Sequence, residues 1–230
     1  MSKKTDNTEE KIVAVEQVLS RTEQFFEKNQ KVISISVGVI VFIVLAIFAF
    51  KRFYLEPKET EAQSQIFMAQ QYFEKDSLNK AMNGDGNYLG FISIIDDYGM
   101  TKAANLSHYY LGVCYLKKGQ FKESIDEFND FSSNDKVLKP LSLSGIGDAY
   151  LELGETQKAI DYYKKASLAN KNIFTAPQFL MKTALTYEIL NDYENALKIY
   201  EQIKKDYFKS YEGRQIDKYI ARAKGLISNK

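Results

Sequence analysis

The chain divides into stretches that differ in how apolar and polar residues are distributed. Mixed charges and short apolar steps fill residues 1–31, whereas residues 32–50 carry no charge at all. After a polar connection over 51–60, the composition becomes polar and helical to the end of the chain. This pattern predicts an all-α protein with a short tail, one apolar helix and a larger helical domain over 61–230.

The uncharged run VISISVGVIVFIVLAIFAF over 32–50 is closed by Lys51 and Arg52. As a helix at ~1.5 Å per residue it is roughly 28 Å long, close to the ~30 Å hydrocarbon core of a bilayer. Inserting its large apolar side chains gains about 4–8 kcal/mol without an opposing charge. A cleaved signal peptide would start nearer the terminus and be followed by a small-residue cleavage site. We therefore predict one uncleaved transmembrane helix over 32–50.

The charges beside this run do not determine its orientation. The same number of basic residues flanks it on each side, namely Arg21, Lys28 and Lys31 before it and Lys51, Arg52 and Lys58 after it. The positive-inside rule therefore leaves both orientations open. Ser34 and Gly38 form a small-xxx-small pair, through which two spans can approach closely, so homo-oligomerisation is one alternative.

After the connection, a pattern of small and aromatic residues recurs. Its copies are YYLGVCYLKKGQFKESIDEF (109–128), SGIGDAYLELGETQKAIDYY (144–163) and MKTALTYEILNDYENALKIY (181–200). Each has a small residue, a tyrosine three positions later, a turn residue, and then Ser or Ala followed by an aromatic residue. The period of 35 and then 37 residues is that of a helix–turn–helix repeat.

The repeated positions have a packing explanation. Gly112 and Gly147 are predicted where the first helix of each pair presses against the second. Gly119 and Gly154 are predicted to end the first helix in the left-handed conformation, and Asn191 takes that place in the third copy. Three copies in one register therefore predict three stacked helical hairpins.

These residues resemble the tetratricopeptide repeat (TPR) family, whose pattern of small-x-x-aromatic, turn and Ala-x-x-x-aromatic they reproduce. The resemblance covers residues 105–136, 140–171 and 177–208. A fourth, degenerate unit precedes them, with the same offsets at Ala69, Tyr72, Asp76 and Ala81. The resemblance implies a right-handed stack of about four hairpins, covered by SYEGRQIDKYIARAKGL as a capping helix.

In TPR proteins, fixed positions of each first helix face a groove that binds peptides. Carried over by register, these positions are Ile66, Gln70, Phe73, Tyr109, Val113, Leu116, Lys117, Ser144, Asp148, Leu151, Glu152, Met181, Leu185, Glu188 and Ile189. The groove is largely apolar, which implies an extended peptide or an amphipathic helix as its ligand. The alternative is that these side chains pack against neighbouring helices or the capping helix.

Composition argues against several classes of function. Lys+Arg 31 against Asp+Glu 30 provides no basic field for nucleic acid. With one cysteine, Cys114, and one histidine, His108, neither an internal disulfide nor a His- or Cys-based metal site is expected. We expect both residues to act in packing.

The segment NGDGN places Asn83, Asp85 and Asn87 at alternate positions, as a calcium loop would. However, Tyr88 and Ile94 stand where such a loop needs Gly and a bidentate Glu. A tight turn between helices explains the segment better. We therefore predict a non-enzymatic protein without a cofactor or metal.

One span near the N-terminus, a linker and a small repeat domain resemble the YfgM-type family of bacterial inner-membrane proteins. This resemblance implies a cytoplasmic tail over 1–31 and a periplasmic TPR domain. It also implies a scaffold that assists the Sec translocon or recruits periplasmic chaperones. Two alternatives stay open: a self-associating scaffold of the envelope or division machinery, and a membrane adaptor that faces the cytoplasm.

Overall fold

The computed structural model describes residues 6–229, with side chains described from residue 28 onward. All regular secondary structure in this part of the chain is helical. Two compact units are present, unit 1 up to Pro57 and unit 2 from Lys58 onward. The predicted all-α fold class is therefore confirmed.

Unit 1 is a long helix followed by a short π-helical segment. Helix α1 runs from Asp6 to Phe50, and the π-helix spans Lys51–Leu55. Side chains of the uncharged run are exposed in this structure, with Phe42 at 73%. This helix has the length and apolar composition needed to cross a membrane.

Unit 2 consists of helices that pair in sequence order. They are α2 Glu56–Glu74, α3 Leu78–Asn83, α4 Phe91–Tyr98, α5 Lys102–Lys117, α6 Phe121–Asp130, α7 Leu138–Glu152, α8 Thr156–Ala169, α9 Ala176–Ile189, α10 Tyr193–Asp206 and α11 Tyr211–Ser228. Helices α5 and α6, α7 and α8, and α9 and α10 form the three hairpins expected from the repeats. Helix α2 opens the unit and α11 closes it.

The turn inside each pair has the same hydrogen-bonded geometry. A residue with positive φ follows the first helix, namely Asp76 (54°), Gly119 (75°), Gly154 (78°) and Asn191 (57°). The next amide donates to the carbonyl of the tyrosine five residues earlier, at 2.8–2.9 Å, which is Tyr72, Tyr115, Tyr150 and Tyr187. This is the Schellman ending of a helix. The predicted left-handed turns are confirmed, and Asp76 shows that the degenerate first unit shares them.

In the first two hairpins, α5–α6 and α7–α8, an aromatic ring of the second helix packs on a glycine of the first. A Cβ at Gly112 would lie 2.9 Å from the ring of Phe128, and one at Gly147 would lie 2.6 Å from the ring of Tyr163. Both glycines therefore act as predicted. A contact that the repeat pattern did not predict involves Gly145, where a Cβ would lie 2.5 Å from the opposite edge of the Phe128 ring. Gly145 belongs to the next unit, so this ring joins two units.

The first unit differs from the others because its second helix is split into α3 and α4 by the loop 84–90. Asp85 holds this loop together. Its Oδ2 accepts a hydrogen bond from the Tyr72 hydroxyl at 2.6 Å, and its Oδ1 accepts from the amides of Asn87 and Tyr88 at 3.0 and 2.9 Å. These bonds, chiefly the one from Tyr72, lower the pKa of Asp85. The segment is a side-chain-stabilised turn.

Helix α11 covers the end of the stack. Its inner face buries Ile216, Ile220 and Ala223 against Tyr200 and Ile203 of α10. Its outer face carries exposed charges such as Asp217 and Lys218. Because one face is apolar and the other polar, α11 ends the core without exposing it to water, as expected for a capping helix.

Gly145→Ala is expected to destabilise unit 2. The added Cβ would meet the Phe128 ring, which cannot retreat because Gly112 lies against its other side. Overpacking of this kind costs about 1–3 kcal/mol. Gly225→Ala is the matched control, since nothing lies within 4 Å of its Cβ position and alanine favours a helix by about 1 kcal/mol. Urea unfolding of the detergent-solubilised chain measures both, and equal shifts would contradict this packing account.

Candidate protein-binding groove

The predicted groove residues lie on the first helices of four successive pairs. Helix α2 carries Ile66, Gln70 and Phe73; α5 carries Tyr109, Val113, Leu116 and Lys117; α7 carries Ser144, Asp148, Leu151 and Glu152; and α9 carries Met181, Leu185, Glu188 and Ile189. The side of α2, α5, α7 and α9 that bears these residues is called the groove face. That these residues bind a partner stays a prediction.

Exposure varies along the groove face. Ile66 and Ser144 are buried, with 6% and 3% of their surface exposed, so they support the face without offering a contact surface. Leu185 and Ile189 on α9 are 38% and 60% exposed. The other apolar members are partly buried, namely Phe73, Tyr109, Val113, Leu116, Leu151 and Met181. Exposed apolar surface on the groove face is therefore concentrated on α9.

The part of the face on α5 packs against a core shared by its own hairpin and the next, since that core includes Ile146 and Ala149 of α7. Tyr109, Val113 and Leu116 contact the buried cluster that contains Ile125 and Phe128. The Tyr109 ring centroid lies 6.0 Å from that of Phe128, and burial raises the pKa of the Tyr109 hydroxyl. These side chains of α5 therefore pack in the core of unit 2 and leave only part of their surface for contact with a partner.

Asp148 links the second and third hairpins. Its Oδ1 accepts a hydrogen bond from the Tyr163 hydroxyl at 2.7 Å, and Lys182 Nζ donates to both carboxylate oxygens at 2.7 Å. Lys182 Nζ also donates to Ser144 Oγ at 3.1 Å. Burial, reinforced by the negative charge of Asp148, raises the pKa of Tyr163, so this hydroxyl stays protonated and remains a donor.

Glu188 links the third hairpin to the capping helix. It accepts hydrogen bonds from the Tyr200 hydroxyl at 3.0 Å and from Arg222 of α11 at 2.5 Å. The bond to Glu188 raises the pKa of Arg222. Lys117 is also engaged, since its Nζ donates to Asp76 at 2.7 Å. Most charged side chains of the groove face therefore already have partners within the chain.

A cavity of about 210 Å³ opens where α9 meets α11. It is lined by Gln178, Met181, Lys182, Leu185, Tyr211, Glu212, Gln215 and Tyr219. The capping helix contributes Tyr211, Gln215 and Tyr219, which the repeat register did not predict as groove residues. Their spacing of four residues, which puts them on one side of a helix, was the available signal. The cavity adjoins the exposed Leu185, so α11 extends the groove face.

The other candidate chemistry of the sequence has structural roles. Cys114 is fully buried, and burial raises the pKa of its thiol to about 12, which suppresses the reactive thiolate. His108 Nδ1 lies 2.7 Å from Glu127 Oε2 across the first hairpin. Among the described residues, no group of three or more His, Cys, Asp or Glu side chains is arranged to hold a metal ion.

Comparison with known families supports the repeat assignment. Tetratricopeptide repeat models match residues 142–173 and 178–210, which contain the α7–α8 and α9–α10 hairpins. The chain therefore contains TPR repeats. TPR proteins are in general non-enzymatic scaffolds that bind peptides or proteins. Among proteins of curated function, none matches this sequence.

Solved structures share the fold at low sequence identity. Nearly identical TPR-like repeats from Podosopora anserina give a TM-score of 0.58 at 14% identity, over 75% of this chain and 89% of theirs. A TPR protein from Parabacteroides merdae gives 0.58 at 19%, over 72% and 61%. The MamA protein gives 0.51 at 17%, over 76% and 95%. Likeness at these identities shows the fold alone.

Asp148→Ala is expected to lower stability by about 1–3 kcal/mol, because it leaves the buried Tyr163 hydroxyl without its acceptor. The ion pair with Lys182 adds less, since the two side chains are 42% and 32% exposed and solvent screens them. Glu152→Ala, at an exposed carboxylate of the same helix, is the control and should stay within about 0.5 kcal/mol of the parent. Urea unfolding compares them, and equal losses would refute this role of Asp148.

Proposed function

We propose that this chain is a membrane-anchored, non-enzymatic TPR protein that holds other proteins at a bacterial inner membrane. The observation that carries the proposal is the apolar surface of Leu185 and Ile189, next to the cavity between α9 and α11. Apolar surface in contact with water is unfavourable by about 25 cal/mol per Å². A partner that covers this patch removes that penalty, as at many interaction sites.

The chemistry of the groove face favours an apolar ligand. Because Asp148, Glu188 and Lys117 are bonded within the chain, a charged ligand would have to displace existing partners. Apolar side chains of an amphipathic helix or an extended peptide can instead contact Met181, Leu185 and the α11 tyrosines. Affinity would then rest on a few buried anchors, as is usual at protein interfaces.

The span would confine this binding surface to the membrane. Residues 32–50 within α1 have the required length and composition. We propose that the tail before the span lies in the cytoplasm and the TPR domain in the periplasm. The partners would be Sec translocon subunits, emerging secretory chains or periplasmic chaperones. This orientation and these partners rest on the resemblance to the YfgM-type family.

Photocrosslinking in intact membranes tests the groove. A photoreactive residue at Leu185 or Ile189 is expected to capture a protein partner, because these side chains are the exposed apolar residues of the groove face. Leu168 on α8 is the control, since it is 63% exposed and lies on a second helix outside the groove face. Mass spectrometry identifies the adducts.

The adducts separate the proposal from its alternatives. Translocon subunits, secretory chains or chaperones captured from the α9 sites but not from Leu168 would support it. Adducts only with a second copy of the chain would favour a self-associating scaffold. Adducts only with cytoplasmic proteins would favour the cytoplasm-facing adaptor. Equal capture from all three sites would refute binding at the groove face.

Cysteine labelling tests the orientation. In Asn229→Cys, a membrane-impermeant maleimide is expected to label intact spheroplasts, because Asn229 caps α11 of the domain that the proposal places in the periplasm. The parent chain is the blank, since Cys114 is fully buried and burial raises the pKa of its thiol to about 12. Ser2→Cys should label only after permeabilisation. The reverse pattern would place the TPR domain in the cytoplasm.

A further inference from the structure

The loops that join one helical pair to the next lie along a single edge of unit 2. These loops are residues 99–101, 131–137, 170–175 and 207–210, and they are called the loop edge. Asn105, at the start of α5, exchanges two hydrogen bonds of 2.9 Å with the backbone of Ser132. Asn170 Nδ2 donates to the carbonyl of Lys136 at 2.7 Å. Successive loops are therefore held against one another.

Each loop, or the helical residue directly after it, exposes a large apolar side chain. The exposed fractions are 67% for Met100, 49% for Val137, 76% for Phe174, 60% for Phe208 and 68% for Tyr211. A single exposed apolar residue needs no explanation. Recurrence at every loop on one edge, with aromatic residues at the C-terminal loops, is the pattern of a contact surface.

The opposite edge provides a built-in comparison. It consists of the turns within the pairs, residues 75–77, 118–120, 153–155 and 190–192, and is called the turn edge. Among these described residues, Leu190 alone is an exposed large apolar side chain. Exposed large apolar side chains therefore recur along the loop edge, whereas the turn edge has this one.

The C-terminal part of the loop edge also carries exposed basic residues, of which Lys209 lies over the ring of Phe208, 5.5 Å from its centroid. Exposed cations there are Lys171, Lys205, Lys209 and Arg214, against Asp206 and Glu212. In the described part of the chain, no carboxylate forms an ion pair with these four cations. A cavity of about 340 Å³ is lined by Phe174 of one C-terminal loop and by Lys209, Tyr211 and Arg214 in and after the next, together with the acidic Glu212. Aromatic and basic groups are therefore neighbours there.

We propose that the C-terminal part of the loop edge docks onto the surface of an anionic bilayer. Phe174, Phe208 and Tyr211 would enter the headgroup region, where amphipathic and aromatic side chains are favoured. Lys209 and Arg214 would contact lipid phosphates, each contributing about fivefold to the docking equilibrium. This inference rests on the proposed membrane anchoring and adds a second contact of the same chain with the membrane.

The start of unit 2 is bonded to the residues on either side of the first loop of this edge. Lys58, its first residue, donates to the carbonyl of Asp97, and Glu59 accepts from the amide of Lys102 at 2.6 Å. The loop edge therefore begins beside Lys58. Only residues 51–57 separate Lys58 from the uncharged run, a connection of no more than roughly 30 Å even when fully extended. A bilayer that holds the uncharged run is therefore within reach of the first loop of this edge, residues 99–101.

Fluorescence of the full chain in lipid nanodiscs tests the inference. An environment-sensitive probe is attached to Phe174→Cys or Phe208→Cys on the loop edge, and to Lys118→Cys or Glu155→Cys on the turn edge. Nanodiscs contain phosphatidylethanolamine with phosphatidylglycerol, or phosphatidylcholine alone, and include a nitroxide-labelled lipid as quencher. We expect quenching of the loop-edge probes in anionic nanodiscs and none of the turn-edge probes. Lys209→Ala with Arg214→Ala should weaken docking roughly 25-fold.

A probe at Val44→Cys separates the two proposals. If Val44 is quenched and the loop-edge probes are not, docking is refuted while the anchor stands. If Val44 is not quenched, the anchor itself fails, and docking fails with it. A lipid-independent blue shift that rises with the number of chains per nanodisc would show that the loop edge contacts another copy, which also overturns docking.

Discussion

The fold of unit 2 depends on the contact between an aromatic ring of each second helix and a small residue of the first. Phe128 against Gly112 and Tyr163 against Gly147 bring the two helix backbones closer than any side chain on the first helix would permit. Because Gly145 of the next unit meets the other edge of the Phe128 ring, this contact also sets the spacing between units. The remaining helices of unit 2 stack at the spacing that this contact sets.

The same rings connect the core to the groove face. The hydroxyl of Tyr163 donates to Asp148, and that of Tyr200 donates to Glu188. Both acceptors occupy groove positions, and both also bind a cation two helices further along the chain, Lys182 of α9 or Arg222 of α11. The carboxylates of the groove face thus serve inter-unit packing, and what remains for a ligand is chiefly apolar surface on α9 and α11. The buried tyrosines of the core need acceptors for their hydroxyls. Because carboxylates of the groove face act as these acceptors, the core determines which chemistry is left on the binding surface.

Contacts that recur at a fixed offset along the chain can be predicted from the sequence, whereas contacts without a fixed offset cannot. Gly112, Gly119 and their equivalents act within one hairpin, so each copy repeats the same local geometry and the pattern is visible. Gly145 and the α11 tyrosines contact a neighbouring unit, where loops of different length change the offset. The sequence also does not predict which groove residues are exposed. Ile66 and Leu185 are chemically similar, and their exposure differs because different residues pack around them.

The two edges of unit 2 differ because their backbones are constrained differently. Every turn within a pair needs a residue with positive φ and a fixed set of helix-ending hydrogen bonds, which restricts it to Gly, Asn or Asp and a constant length. The loops between pairs have no such requirement and range from residues 99–101 to residues 131–137. Sequence can vary there without disturbing the ring contacts that hold the stack. Surface properties such as exposed aromatic and basic side chains are therefore free to accumulate on the loop edge, while the turn edge has Leu190 as its one exposed large apolar side chain among the described residues.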